Sequence, residues 1–410
     1  MHTDHDSPAP LLNLSHHGRK KKTPVVNPAF ATLHDVTRLV KRQATLDLWV
    51  LAGGRCQFRD CNDLLYKSPV TQEKVNRAQK AHIYSFSPAG PRGRGPYAKK
   101  TQGLNSTKNL LLVCHGCHQI IDQPGGSTRY PAARLQQWKQ EHEARIVRVT
   151  GVNPKRKTHV VLYGSRIGEH DSPLQPDEAM EAVFPDRFPA KDQPVNLSLS
   201  MEHNDGTAEF WATEERHLRN IFERDINPLI RDSRAAHFSV FALADMPLLV
   251  LLGSLFTDKR SVNTFQRFRE PQGWHWQNDE PRGFGMNLKR PRHPRGEPAL
   301  VFSLSGNIEP ERVQAILGPQ AAIWELTIAD PHNDFLRSRR QLVAFRQAVR
   351  KAMAAINRSH GRKPVHLFPA MPVACAVELG RVRMPQSDPA WVIYNQNNKH
   401  NGFAKALTIT

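Results

Sequence analysis

The stretch Asn109-Leu110-Leu111-Leu112-Val113-Cys114-His115-Gly116-Cys117-His118-Gln119-Ile120-Ile121-Asp122 carries a Cys-x2-Cys pair with a histidine directly after it. A second pair, Cys56-x4-Cys61, precedes it, so four of the chain's five cysteines fall into two pairs. Thiolates at these spacings supply the tetrahedral sulfur set of a structural zinc ion. Disulfides are the alternative use of paired cysteines, but the N-terminus lacks the apolar core of a secretory signal. The fifth, Cys375, sits in an apolar, proline-flanked stretch and reads as an inert core residue. Between the pairs, Ala81-His82-Ile83-Tyr84 reads as a short strand. Residues 118–122 read as a short helix, which puts His118 and Asp122 at i and i+4 on one face.

The charge is unevenly distributed. The chain has 57 Lys+Arg against 38 Asp+Glu, a net of +19. Residues 1–158 hold 26 of the basic and 10 of the acidic groups, leaving the remainder close to neutral. A basic field confined to the cysteine-bearing end draws a polyanion by phosphate contact and counterion release. The loop Gly90-Pro91-Arg92-Gly93-Arg94-Gly95, followed by Lys99 and Lys100, is glycine-rich and basic enough to approach a phosphate backbone. Such a loop reads no base sequence. The longest apolar run, around Leu248–Leu252, is far short of the ~20 residues of a membrane span, so no membrane partner is expected.

Residues 1–30, with Arg19-Lys20-Lys21-Lys22, read as a disordered basic tail. Residues 32–51 place Leu33, Val36, Leu39, Val40, Leu46, Leu48 and Val50 at helix-compatible positions, with Gly53-Gly54 as the stop. A polar helix over 130–149 is anchored by Leu135, Trp138 and Ile146. The basic hinge at 151–158 marks a domain boundary, so 31–150 form one domain and 159–410 another. The second alternates strand and helix. Strands are expected at 159–163, 196–201, 237–243, 300–304, 323–328, 365–368 and 391–394, with amphipathic helices at 213–231 and 339–357. Two alternating blocks, near 159–290 and 298–410, suggest a duplicated α/β unit without a plain sequence repeat.

The order His82, Asn109, His118 inside a four-cysteine frame resembles the HNH, or ββα-metal, nucleases over roughly residues 50–125. The resemblance implies that His82 is the general base and that Asn109 hydrogen-bonds and orients the loop bearing it. His118 would bind a catalytic divalent metal such as Mg2+ or Mn2+, with Asp122 as the candidate second ligand. Cys56, Cys61, Cys114 and Cys117 would hold structural Zn2+. Imidazole suits the base because its ordinary pKa lies near neutrality. One position departs: many HNH enzymes carry an acid or a second histidine just before the base, and here that residue is Ala81.

An HNH module joined to a half containing Leu162-Tyr163-Gly164-Ser165-Arg166, Phe302-Ser303-Leu304-Ser305-Gly306 and Leu367-Phe368-Pro369-Ala370-Met371-Pro372 is similar to the HNH–SAVED effector nucleases of bacterial cyclic-oligonucleotide anti-phage signalling (CBASS). The similarity implies an α+β, α/β multidomain chain whose second half is a SAVED domain of two fused CARF-like, Rossmann-like units. It implies a cytoplasmic bacterial protein, activated by a cyclic di- or oligonucleotide, that assembles from dimers into tetramers or larger homo-oligomers and degrades double-stranded DNA. Small residues at strand ends, Gly164, Ser165, Ser305, Gly306, Pro369 and Ala370, let backbone N–H groups approach such a ligand, as in the carboxyl-end crevice of open α/β sheets. Arg166 adds a charge beside them, and Trp274 and Trp276 offer faces on which a base could stack. Arg92, Arg94, Lys99 and Lys100 are the candidate DNA contacts. Two other readings stay open: a zinc-stabilised DNA-binding regulator that does not cut, and an ungated, restriction-type HNH nuclease.

Overall fold

The computed structural model describes residues 39–164, 174–198, 207–232, 237–280, 284–292, 294–397 and 402–410. The N-terminal tail, Leu33, Val36, Ser165 and Arg166 lie outside the described residues. The chain divides into two compact units, Met1–Ala144 and Arg145–Thr410. No helix among the described residues is long and apolar enough to cross a membrane.

In the first unit, helix α1 (Arg42–Leu51) stops where Gly53 and Gly54 take positive φ, a geometry that a Cβ would strain. Its apolar face is thinner than the sequence suggested. Leu48 is fully buried, but Leu39, Leu46 and Val50 are 79%, 50% and 74% exposed. Helical spacing alone does not tell which apolar side chains meet a core. Strand β1 (Ala78–His82) pairs antiparallel with β2 (Leu110–Cys114), with His82 opposite Leu110. Strand β2 is buried at every position, which explains its unbroken Leu-Leu-Leu-Val run. Helix α2 (His115–Asp122) follows at once, its first turn capped by the Cys114 sulfur, which accepts from the Cys117 N–H. After α3 (Gly126–Arg129), helix α4 (Ala132–Thr150) buries Leu135 and sets Trp138 edge-on against Phe58 and Tyr130, centroids 5.0 and 5.9 Å away.

The second unit contains two sheets. The first block runs β3 (Lys157–Gly164), α5 (Pro176–Ala182), β4 (Phe188–Pro189), β5 (Val195–Asn196), α6 (Ala208–Asp225), α7 (Asn227–Arg231), β6 (Phe238–Leu243), α8 (Met246–Phe256), β7 (Val262–Phe265) and a small ribbon of β8 (Phe268–Arg269) with β9 (Gln272–Gly273). The expected helix over 213–231 is two helices, because Pro228 starts a new one after Asp225. The second block runs β10 (Asn287–Lys289), β11 (Pro298–Ser303), α9 (Pro310–Leu317), β12 (Ala322–Thr327), α10 (Arg339–His360), β13 (Val365–Ala370), α11 (Val373–Val382), β14 (Trp391–Asn397) and β15 (Gly402–Ile409). In the first sheet β3 is flanked by β4 and β5 on one edge and β6 on the other, with β7 beyond, all parallel. In the second, β12, β11, β13 and β14 repeat that parallel order, and β10 and β15 add antiparallel edges. With β4 and β5 counted as one position beside β3, each block orders its parallel strands second, first, third, fourth, with a topological switch beside its first strand.

Period-two alternation sends Val161 and Tyr163 of β3, Val240 of β6, and Leu300 and Phe302 of β11 into one core with α6, α8, α10 and α11. Val160 and Leu162 face Ala179, Ala182 and Trp274 instead, while Val301 and Phe368 face Val313 and Phe403. The blocks join where α8 meets α11. A Cβ on Gly253 would lie 1.9 Å from the Val377 carbonyl oxygen, and one on Gly380 would lie 1.9 Å from that of Val250. Val250-Leu251-Leu252-Gly253 and Val377-Glu378-Leu379-Gly380 are thus a short repeat in which each glycine receives the other helix's valine carbonyl. Beside it, Glu378 accepts from Thr264 Oγ1 and Arg381, both at 2.6 Å, and Arg381 reaches back to the Arg260 carbonyl.

Two outcomes follow from these contacts. Gly253→Ala and Gly380→Ala each force backbone apart and should lower stability by at least about 2 kcal/mol in urea unfolding, against the small gain alanine gives in an open helix. His237 is 2% exposed, with Nδ1 2.8 Å from Thr158 Oγ1. Burial, aided by Arg187, pushes this imidazole down to about 3. Between an unfolded value of about 6.5 and that folded one, the unfolded chain binds a proton the folded chain refuses, so stability falls on acidification. Wild type should lose on the order of 2 kcal/mol more than His237→Asn between about pH 7 and pH 5, and equal slopes would refute the assignment.

Candidate functional site

The sulfur atoms of Cys56, Cys61, Cys114 and Cys117 all lie within 4.8 Å of one another, and all four are free cysteines. The fold brings them together from separate places. Cys56 follows the glycine stop of α1, and its N–H donates to the Asp63 carbonyl, closing a turn in which Asp60 and Asn62 take positive φ. Cys114 ends β2, and its N–H points at the Cys56 sulfur, 3.3 Å away. Cys61 and Cys114 sulfurs are 3.9 Å apart, close to the ~3.8 Å that tetrahedral zinc–sulfur bonds require. Burial pushes the Cys56 thiol up to about 12 and raises Cys117 further. Cys114 is buried too, but hydrogen bonds from Cys117 and its neighbours outweigh that and bring it down. Thiols that resist ionisation beside one that favours it are what a bound cation would convert to thiolates.

His82 ends β1 and is half-buried, its Nε2 2.9 Å from Asn105 Oδ1. Its ring meets Phe86 edge-on at 6.0 Å. Asn109, 1% exposed, clamps the chain leaving β1: Tyr84 N–H donates to its Oδ1 at 2.9 Å, and its Nδ2 donates to the Tyr84 and Leu104 carbonyls. His118 projects from α2 with Nε2 3.4 Å from Asp122 Oδ2. Burial opposes the Asp122 charge, but hydrogen bonds from His118 and Arg92 hold its carboxyl below the usual carboxylate range. For a catalytic divalent ion these residues fit in part. His118 offers imidazole and Asp122 one oxygen, while the other Asp122 oxygen is engaged by Arg92 at 2.7 Å. Among the described residues, no third carboxylate, cysteine or histidine completes a set there.

The basic loop differs from its expected role. Arg92 is not a free phosphate contact: its side chain is 4% exposed and bonded within the fold. Arg94 donates to the Phe86 carbonyl, and Gly95, at φ +47, is required by close packing, since a Cβ there would sit 2.2 Å from the Tyr84 ring. Lys99 and Lys100 are exposed. Asn105 was missed, because a lone asparagine in a Gly/Ser/Thr turn carries no spacing signal.

In the second unit β11 and β13 end side by side, with Ser303 opposite Ala370, while Gly164 ends β3 in the other sheet. Their backbone donors are already used. Gly164 N–H donates to Ser198 Oγ, and the Leu304 and Ser305 N–H groups both donate to the Ala370 carbonyl. Pro369 is buried within the sheet, while Gly306 is open. Trp274 is not a stacking platform: it is 1% exposed, edge-on to Phe241 at 5.2 Å. Trp276 is half-buried against Phe268. Arg337, Arg339 and Arg340 pair with Asp279, Asp186 and Glu280. Sequence reasoning overlooked the group at the carboxyl end of the first sheet, where burial raises Tyr163, with Glu214 and Asp245 adding to it, and also raises Glu214.

Residues 218–409 match the family described as SMODS-associated and fused to various effectors sensor domain, SAVED. Over these residues the chain is similar to SAVED domains. The match begins inside α6 and takes in everything from α7 into β15. Among solved structures, the Acinetobacter baumannii Cap4 SAVED/CARF-domain containing receptor with the cyclic trinucleotide 2'3'3'-cAAA aligns at 12% identity and TM-score 0.41, covering 68% of this chain and 58% of that one. The same receptor with 3'3'3'-cAAA gives 12%, 0.42, 68% and 58%. The Moraxella osloensis receptor gives 12%, 0.40, 68% and 57%. The chain thus spans less than two-thirds of these receptors' length. Among curated proteins none is significantly similar.

The sulfur cluster makes a quantitative demand. Elemental analysis of purified protein should find about one zinc per chain, lost in Cys61→Ser and in Cys117→Ser. Full-length protein with no metal and unchanged melting would rule out a structural ion at the four sulfurs.

Proposed function

We propose that the chain is a metal-dependent DNA endonuclease of the HNH type, switched on when its SAVED domain binds a cyclic oligonucleotide, in bacterial anti-phage defence. The observation that carries the reading is local. A strand ending in His82, an Asn109 clamp on the next residues, and a helix bearing His118 are assembled on one four-sulfur frame. The SAVED match supplies the sensor half, and Cap4 receptors of that kind are recorded with cyclic trinucleotides.

Hydrolysis of a phosphodiester takes a proton from water, joins the water oxygen to phosphorus and releases the 3′-oxygen. An amide oxygen at His82 Nε2 selects the tautomer protonated there, so Nδ1 holds the lone pair that accepts the water proton. Asn109 keeps the backbone after His82 from shifting while that proton moves. A divalent ion held by His118 would supply Lewis acidity at the phosphate and the leaving oxygen. Lys99 and Lys100 supply charge along the duplex without reading bases. Double-stranded DNA is the substrate class, and homo-oligomer assembly on ligand binding is the proposed switch. One observation favours the non-cutting regulator instead: Ala81 and the Arg92–Asp122 pair leave few ligands for a catalytic ion.

Purified protein incubated with plasmid and Mg2+ or Mn2+ should cut only when one of a panel of cyclic di- and trinucleotides is added. His82→Ala should lower that rate at least about 100-fold. Cutting without any nucleotide would establish the ungated enzyme, and binding without cutting throughout would establish the regulator.

A further inference from the structure

We infer that Arg92 is a positioning residue: it fastens the strand that carries His82 to the helix that carries His118, with Asp122 as its counter-ion. Its guanidinium reaches acceptors on both elements. On the β1 side, Nε donates to the Ile83 carbonyl at 2.6 Å and one terminal nitrogen donates to the His82 carbonyl at 3.2 Å. On the α2 side, the other terminal nitrogen donates to the Ile121 carbonyl at 3.0 Å, and the first also meets Asp122 Oδ1 at 2.7 Å. The remaining Asp122 oxygen faces His118 Nε2. A continuous path therefore runs from the His82 backbone through Arg92 and Asp122 to the His118 ring.

The loop is shaped to deliver this side chain. Arg92 takes φ +63, and its own N–H donates to Ser127 Oγ at 3.2 Å. Gly93 follows at φ +55 and returns a hydrogen bond to the Gly90 carbonyl, and its own carbonyl accepts from Ser85 N–H at 2.7 Å. The residue that looked like a phosphate contact is thus turned inward. Helix α2 ends at Asp122, where carbonyl oxygens lack intrahelical donors and a cation is favoured. A planar fork with donors on three nitrogens spans acceptors on two elements, which an ammonium on a single point cannot do. In a site whose two imidazoles sit on separate elements, such a cross-link fixes their separation before substrate arrives.

The positioning role rests on reading His82 and His118 as the reacting imidazoles; the cross-link itself does not. The test uses full-length protein as Arg92→Ala, Arg92→Lys and Asp122→Asn, with zinc content checked in each. Hydrogen exchange of peptides covering 82–85 and 119–123 should quicken at least about tenfold in Arg92→Ala, with Arg92→Lys intermediate and Asp122→Asn nearest wild type. In nucleotide-activated plasmid cleavage, kcat should fall at least about tenfold while KM for DNA stays within about twofold, and added ethylguanidinium should restore part of kcat in Arg92→Ala. If the alanine variant loses zinc, Arg92→Lys carries both measurements. Unchanged exchange overturns the cross-link. Faster exchange with unchanged kcat, or a loss carried by KM as for a phosphate contact, overturns the positioning role. A wild-type protein that cuts under no condition overturns that role together with the proposed function, and exchange still decides the cross-link.

Discussion

Four sulfur atoms hold the first unit to one geometry. They bring the exit of α1, the end of β2 and the first turn of α2 to a single point. The apolar core around them is small, built mainly from Leu48, Leu65, Ile83, the β2 leucines, Ile121 and Leu135. A unit of that size gains little from burial alone, so a metal that converted the buried thiols to thiolates would contribute a large share of what keeps it folded. Once the sulfurs are fixed, α2 leaves β2 in one direction only. His118 and Asp122 are then placed by the helix, and His82 is placed by the register of β1 on β2. The placement of His82, His118 and Asp122 depends on that convergence.

The second unit is held differently, by close packing between two blocks of the same strand order. The decisive contact is backbone on backbone, with Gly253 against Val377 and Gly380 against Val250. Helices that approach so closely exclude even a methyl group, and the buried Glu378, tied to Thr264, Arg381 and Arg346, adds a charged join beside them. Glu378 and Arg381 are each 2% exposed, so the pair is maintained by mutual neutralisation and by its bonds to β7 and the Arg260 carbonyl. Joining the blocks through their third-strand helices leaves each sheet with its own carboxyl edge. At the first of these, Tyr163, Glu214 and Asp245 are buried close together.

Much of this was legible because it is periodic or has fixed spacing. Paired cysteines announced the sulfur cluster, and β-branched runs located β3, β6, β11, β12, β13 and β14 to within a few residues. Helix α10 was legible from its apolar stripe and starts on a Ser338/Gln341 capping box. Other elements were missed for physical reasons. Helices α8 and α11 are buried on nearly all sides, so their sequences lack the polar face that marks a helix. The Val-x-Leu-Gly repeat within them is too short to stand out until the two glycines are seen to face each other. Trp274 looked like a stacking surface because a Gly/Pro-rich neighbourhood suggests a loop, yet Phe241 and Arg267 enclose it.

Sequence by itself determined which residues are able to ligate, ionise or alternate in and out of a core, because spacing and side-chain chemistry are local properties. Those local properties include the paired sulfurs, the order of the two imidazoles around Asn109, and the repeated strand–helix alternation. Only the tertiary structure decided what those groups are bonded to. Arg92 is drawn inside by four acceptors that the chain contributes from positions 82, 83, 121 and 122. Ser305 and Gly164 have their donors taken by Ala370 and Ser198. A donor's partner is set by which distant segments the core brings within about 3 Å, and no local pattern encodes that.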